Sequence, residues 1–439
     1  MSLPSLLPLR DAVRGEVLLQ DDPGFEDARR PWNLAIDQPV VAVVTPADAD
    51  DVAAVVRFAN GLGVPIAVQP SGHGASGTAI GTILLRTGRL DELSVDPGNR
   101  TARFGAGVKS GAVTKAVAEH GLVHKPGSSP VVSATGYTLG GGIGFFARKY
   151  GMSSDHVIEF EVVDARGERR RANAEENADL FHALRGGGGD YAIVTAMTVR
   201  LHEERELFGG TVMWPAARAA EVFAAFREIT ATAPRELTVW TSLVQFPGGA
   251  PAMVAASVAY LGPEDEGRAL LKPLDAVGGV LQGEWRTVPF PEIGTITNDP
   301  VDPGPSVSRT ELFARFDDEV VATLLAEPID PLLAVQVRHL GGALAEERPG
   351  PHGALSEEYA VYMLGLALTP EGGAAVAAKQ AELTARLGDA VTGRKPMTFL
   401  GPTDSLAHAF SAEEMDRLRA TKKKWDAEGR FVANFPVGE

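Results

Sequence analysis

In the stretch Ser71-Gly72-His73-Gly74-Ala75-Ser76-Gly77 an imidazole sits inside a glycine-dense turn. Read from Gly72, the letters satisfy G-x-G-x-x-G, the fingerprint of a turn that brings backbone N–H groups up to a dinucleotide pyrophosphate. That fingerprint has no use for a histidine, so His73 is a candidate for chemistry of its own. Two further glycine-dense stretches follow, GSSPVVSATGYTLGGGIGFFARKYG from Gly127 and RGGGGD from Arg185 to Asp190. Glycine lets the main chain approach phosphates without a Cβ in the way, and successive N–H groups form an anion nest. With almost no lysine or arginine inside these turns, the pattern points to a pyrophosphate cradled by backbone.

The elements that must position these turns are short. Thr45 is placed to cap a helix with Pro46 at its first position, an apolar face of Val52, Val55, Val56 and Ala59, and a stop at Gly61 and Gly63. Val64 to Val68 then reads as a buried strand leading into the histidine turn. After the turn comes TAIGTILLR, a strand rather than a helix, then the hairpin turn Asp96-Pro97-Gly98-Asn99 and a strand from Thr101 to Phe104. A Rossmann fingerprint needs a helix to begin within its glycines, so the strand argues against that fold. A helix over Ser110 to His120, a strand over Val157 to Val163, a helix over Ala174 to Leu184 and the strand YAIVTAMTVRLH complete this half.

Past about residue 205 the pattern changes. The strands TVMWP, LTVWTSLVQF, AMVAASVAYL, LLAVQVRHLGGAL, EYAVYMLGLAL and PMTFLG alternate with helices around Ala216 to Ile229, after Pro263, and from Gly372 to Leu387. Such a series predicts an antiparallel sheet covered by helices on one face. The stretch NDPVDPGPS reads as a loop near a site.

Composition narrows the function classes. The chain has 439 residues, enough for two or three domains, and 41 basic against 57 acidic residues give a formal charge of −16. That charge disfavours nucleic acid and anionic membrane as partners. The cluster Lys422-Lys423-Lys424 reads as a solvated helix face. There is no cysteine, which removes disulfides, thiol nucleophiles and metal–thiolate sites, and no metal is expected. MSLPSLLPLRDAVRGE lacks the layout of a secretion leader and no apolar run approaches a membrane span, so the expected location is cytoplasmic.

The order QPSGHGASG, VDPGNRTARFGAGV, GSSPVVSATGYTLGGGIGFFARKYG and DLFHALRGGGGDYAIVT resembles the PCMH-type FAD-binding domain of the vanillyl-alcohol oxidase superfamily, and within it the berberine-bridge-enzyme-like branch. The resemblance covers roughly residues 30 to 205 and the closing segment GRFVANFPV. It implies an α+β fold: a two-part FAD-binding domain over residues 1–205 with a return of the chain at 401–439, and a substrate domain over residues 206–400.

The resemblance also implies roles. His73 is expected to bond through a ring nitrogen to the 8α-methyl of the FAD ring system, raising the flavin potential and anchoring the cofactor. Ser129 stands where many relatives place a cysteine that makes a second link, so single attachment is expected. Ser71, Gly72, Gly74 and Ala75 match the turn along the pyrophosphate. Ser128, Thr135, Gly136, Tyr137, Gly140, Gly141 and Gly144 match the second cradle, Val194 a backbone contact to the nucleotide, and Asn434 an asparagine that returns to the flavin. Thr138 occupies the place that controls oxygen access in the family. The tyrosine and asparagine that relatives often carry in the strand here reading Pro396-Met397-Thr398-Phe399 are missing, so the resemblance transfers no catalytic base from that strand.

For proton removal or substrate orientation the remaining candidates are Tyr137, Arg338, His339, Tyr359 and Tyr362, with Trp240, Trp285 and Phe290 as candidate pocket walls. The implied activity is that of an oxidase of secondary metabolism: hydride transfer from a C–H next to oxygen or nitrogen of a small organic substrate to covalent FAD, then reoxidation by O2 to hydrogen peroxide. A dehydrogenase, an oxygenated-flavin monooxygenase-like enzyme and a non-catalytic flavin-binding protein stay open beside it.

Overall fold

The computed structural model describes residues 5–438; the first four residues of the N-terminal stretch considered above and the last residue of the returning segment lie outside the described residues. Three main sheets organise the chain. The first has five strands in the order Glu16–Leu19, Ala42–Thr45, Ile83–Leu85, Ile66–Val68 and Phe431–Val432. Only the outer pair Glu16–Leu19 with Ala42–Thr45 is antiparallel; the others run parallel. The helix Ala49–Leu62 buries Val52, Val55, Val56 and Ala59 against this sheet. Its cap is Asp48, whose carboxylate accepts from the N–H groups of Asp50 and Asp51, and not Thr45, which the ladder absorbs as the last residue of its strand.

The second sheet is antiparallel throughout: Leu93–Asp96, Thr101–Gly105, Ile193–Arg200, Val157–Val163 and Arg169–Asn173. The hairpin at Asp96 to Asn99 forms as expected, with Asp96 accepting from both the backbone and the side chain of Asn99. Two helices come out shorter than expected. The first stops at Ala118, and the second begins only at Ala178, because Asn173 Oδ1 takes the N–H groups of Glu175 and Glu176 into a turn and Asn177 adopts φ 54°.

The third sheet has seven antiparallel strands: Arg286–Thr287, Phe208–Pro215, Met253–Tyr260, Leu237–Val244, Ala334–His339, Tyr359–Leu366 and Ser306–Phe313. Alternation sends Val239, Val335, Val337, Val361 and Met363 to one face, where the helices Ala219–Ala231, Asp318–Leu325 and Pro370–Leu387 cover them with Phe223, Phe226, Leu324 and Leu383. Each such side chain stabilises the layer by about 1.5–3 kcal/mol when fully buried. PMTFLG is not a strand: Met397–Phe399 is a 3-10 turn closed by Phe399 N–H to the Pro396 carbonyl at 2.9 Å. A proline there has no N–H to give a ladder.

The Lys422–Lys424 cluster is also more than a solvated face. On the helix Ala412–Trp425, Lys422 Nζ donates to the Asp190 carbonyl at 2.6 Å, to Asp190 Oδ1 at 3.1 Å, to Asp426 Oδ2 at 2.8 Å and to the Phe431 carbonyl at 3.0 Å. This knot ties the end of the third glycine turn to the returning C-terminal strand. Among the described residues, no helix is long and apolar enough to cross a membrane.

Candidate active site

The histidine turn leaves the C-terminal end of the parallel strand Ile66–Val68, where open sheets with parallel strands place their ligands. Gly72 has φ +76°, and a Cβ on it would lie 2.7 Å from Pro31, so only glycine fits. The next element is the strand Ile83–Leu85, as the sequence implied, and no helix starts inside the turn.

Around this turn lies a cleft. Its walls come from all three glycine stretches and from the C-terminal return. Of the expected cofactor residues, Ser71, Gly72, His73, Gly74, Thr135, Gly136, Tyr137, Gly140, Val194 and Asn434 line it. Ala75, Ser128, Ser129, Gly141 and Gly144 stand off the wall. Ala75 is buried in the turn, Gly141 packs on Met152 and His352, and a Cβ on Gly144 would sit 2.0 Å from the Pro126 carbonyl.

The second glycine cluster therefore does two jobs. A Cβ on Gly127, Gly142 or Gly144 would approach the Tyr137 ring or hydroxyl to 3.1, 2.6 and 2.9 Å, so these glycines form a slot for one aromatic side chain. The short helix Ala134–Leu139 starts on the cleft wall, capped by Ser133, whose Oγ accepts from Gly136 N–H.

His73 is fixed on two sides. Trp32 stacks on it, and its Nδ1 is 2.8 Å from Ser71 Oγ, while Nε2 is buried without a hydrogen-bond partner. Burial, with the Lys109 charge adding to it, pushes the imidazole down to about 4, so it is neutral at pH 7. Thr135 Oγ1 and Gln69 Oε1, also on the cleft wall, are buried and unpartnered too. Buried polar atoms of a folded protein are normally paired, and this group marks where a polar ligand completes the site. An elongated cofactor with a pyrophosphate and a polar ring edge, as FAD has, fits the glycine walls and the orphaned atoms together.

The loop NDPVDPGPS docks beside this turn. Gly304 N–H donates to the Trp32 carbonyl at 3.2 Å, and Leu34 N–H donates to the Gly304 carbonyl at 3.2 Å.

The polar candidates of the third sheet split by strand parity. Arg338 and Tyr362 face away from the helices: the Arg338 guanidinium lies 4.3 Å from the Trp240 ring centroid and 5.1 Å from those of Tyr362 and Phe399. Phe399 follows Thr398, a cleft residue, and the Arg338 charge is felt by both Tyr137 and Tyr362. Burial raises both phenols above their usual value and Arg338 opposes the rise. His339 and Tyr359, by contrast, are cross-strand partners on the helix-covered face. His339 Nε2 pairs with Arg148 Nη1 at 3.0 Å, and the Tyr359 hydroxyl with that of Thr230 at 2.8 Å among Phe226 and Phe316. They do not converge with the cleft. Trp240 is buried between Phe145, on which it stacks, and the Arg338 guanidinium, whereas Trp285 joins the helix-side core with its indole N–H on Asp275. Phe290 packs edge-on against Phe146.

Several cleft residues carried no individual signal in the sequence: Trp32 over His73, Gln69, Leu139, and Met397, Thr398 and Leu400 after the missing strand. Ser129 Oγ is buried without a partner.

Comparison with known proteins agrees with this geometry. The FAD binding domain family matches residues 40–173. The (R)-6-hydroxynicotine oxidase of Paenarthrobacter nicotinovorans is 27% identical over 97% of both chains. Among solved structures, BBE-like 1 of Physcomitrella patens superposes with a TM-score of 0.87 at 20% identity over 99% of this chain and 100% of its own. The glucooligosaccharide oxidase of Acremonium strictum, described with a 6-S-cysteinyl, 8α-N1-histidyl FAD, superposes with a TM-score of 0.81 at 21% identity over 99% of each chain. A match to an FAD binding domain family, a relative similar along its whole length and a shared fold, on a chain whose cleft fits FAD, lead to one assignment: this chain carries an FAD binding domain and is an FAD-linked oxidoreductase, similar in sequence to 6-hydroxynicotine oxidase and in fold to BBE-like oxidases.

Proposed function

We propose that this enzyme is an oxidase that removes a hydride from a C–H bond next to oxygen or nitrogen of a small organic molecule, with FAD held covalently by His73. The observation that carries the reading is the cleft walled by glycine turns and closed by a half-buried histidine whose Nε2 is buried without a protein partner. FAD bound there supplies the two-electron acceptor and passes the electrons to O2, giving hydrogen peroxide.

The chain's own share is positional. Ser71, Gly72 and Gly74 on one wall and Thr135, Gly136 and Gly140 on the other hold the cofactor's anionic middle, with Val194 and Asn434 completing the enclosure. With Nδ1–H donated to Ser71 Oγ, the lone pair of His73 lies on Nε2. A histidyl link described for a fold relative, there through N1 of the ring, supports attachment at a histidine, and a chain without cysteine, with Ser129 in place, holds the cofactor by one bond. Tyr137 and Tyr362 are protonated phenols at neutral pH and orient the substrate beside the Arg338 charge, which favours a phenol that passes its proton on. Residues 1–205 and 401–439 serve the cofactor, with Met397, Thr398 and Leu400 added to the cleft wall, and the rest of residues 206–400 serves the substrate.

A dehydrogenase is the second reading, favoured by Thr138, whose buried hydroxyl is paired with that of Ser153 at 2.8 Å at the position that gates oxygen in relatives. The test is to mix the holoprotein anaerobically with a panel of alcohols and amines, then admit air. Bleaching of the flavin by one class, and recovery in air with one hydrogen peroxide per turnover, is the expected result. Recovery only with an artificial acceptor establishes the dehydrogenase, and failure of every compound to bleach the flavin overturns both readings.

A further inference from the structure

Arg338 is unlike Arg148 and Arg86, two other well-enclosed arginines. Arg148 spends its guanidinium on the carbonyls of Leu237, Ala233, Pro234 and Leu340, and Arg86 on those of Ala28, Gln69 and Arg30. Arg338 makes a single hydrogen bond, from Nε to Gln336 Oε1 at 2.6 Å, and no ion pair among the described residues. Gln336 is held in turn, its Nε2 donating to Ser242 Oγ at 3.1 Å. Three aromatic rings enclose the guanidinium, and the acidic side chain whose charge it feels, Asp299, lies outside ion-pairing reach. On the same sheet face, directly across from Tyr362, Thr310 Oγ1 is buried and has no partner.

A half-buried guanidinium clamped by rings and anchored at Nε keeps both Nη groups in a fixed fork. Such a fork matches a carboxylate, which accepts two parallel N–H bonds. An unpaired charge on an aromatic wall is costly to keep unless a ligand neutralises it.

Building on the oxidase reading, we propose that the substrate carries a carboxylate, and that Arg338, with Thr310 and Tyr362 beside it, binds that carboxylate and so turns the reacting C–H toward the flavin. Arg338 is then a specificity-determining residue for small organic acids such as amino or hydroxy acids with the oxidised carbon near the acid group.

The test titrates the flavin-loaded protein with a series of carboxylates, from acetate to hexanoate and benzoate, and with the matching amides. Binding is followed by the change in flavin absorption and by calorimetry. Saturable binding of at least one carboxylate is expected, about 30-fold tighter than its amide. Arg338→Met should abolish that preference and Arg338→Lys keep part of it, while Gln336→Leu, which frees the anchor at Nε, weakens carboxylate binding several-fold with the amide unchanged. Equal flavin content and an equal thermal midpoint in each variant show that it has folded. Equal affinity for acid and amide, no binding of any carboxylate, or a preference that survives in Arg338→Met overturns the proposal. Loss of the oxidase reading itself shows separately, as a flavin that no substrate bleaches while carboxylates still bind.

Discussion

The Trp32 indole lies on the His73 imidazole with ring centroids 4.2 Å apart and planes 12° apart. Trp32 on one side and Ser71 at Nδ1 set the ring before any cofactor is attached, and burial keeps it neutral. A neutral imidazole is the form that can make a carbon–nitrogen bond. Incorporation of FAD into apoprotein should therefore hold its rate from pH 8 to about pH 5 and fall only toward pH 4. A histidine at its ordinary value, about 6.5, would lose most of the rate by pH 5.5. Lys109→Ala removes a charge that depresses the imidazole and should move the midpoint up. The same shift acts on stability: below about pH 6.5 the unfolded chain takes up a proton that the folded His73 refuses, so this group costs stability as pH falls toward 4.

Tyr137 and Tyr359 give a paired prediction. Tyr137→Phe should slow anaerobic flavin reduction by about 100-fold if its hydroxyl handles the substrate proton. Tyr359→Phe removes the bond to Thr230 and should cost about 1 kcal/mol of stability while leaving the reduction rate within a few-fold. Stopped-flow reduction with a common substrate, beside thermal melts, checks both. Equal rate losses in the two variants would contradict the placement of Tyr137 on the cleft wall and of Tyr359 away from it.

Lys422 stands between two carboxylates that are almost without solvent, Asp190 at 2% and Asp426 at 0% side-chain exposure. Lys422→Met leaves both facing a buried void and should destabilise the protein by about 3–5 kcal/mol in urea unfolding. Burial already raises Asp190. A carboxyl with a raised folded pKa binds its proton more tightly when folded, so stability rises as pH falls through the window between the unfolded and folded values. The deficit of Lys422→Met should shrink from pH 7 to pH 5. A deficit that is flat over this range would show that the carboxylates do not carry the effect.

Much of the cofactor half was legible because its signals are local. A glycine that must sit at positive φ against Pro31, a strand of three apolar residues and an Asp-Pro-Gly-Asn hairpin each declare themselves within a few letters. What stayed hidden depends on distant partners. Gly144 looks like a phosphate-cradle glycine, yet the Pro126 carbonyl and the Tyr137 hydroxyl are what require it, and the Tyr137 ring requires Gly142 beside it. The strand Ser306–Phe313 begins beside Pro305 and carries Arg309 and Glu311, charges that an interior strand would not hold but that pair with each other on this sheet edge. The separation of Arg338 from His339 was readable in principle, since neighbours in a strand point to opposite faces. Which face looks at the cleft was not, because the helices that cover the other one come from elsewhere in the chain.

The central claim is that one histidine holds the flavin. The direct measurement is to precipitate the purified protein and its His73→Ala variant in acid and read the flavin absorbance of pellet and supernatant, with the flavin-bearing peptide identified by mass. Colour in the parent pellet on a single peptide containing His73, and colour released from the variant, is the result this account predicts. Flavin released from the parent, or a flavin peptide that persists without His73, would contradict it.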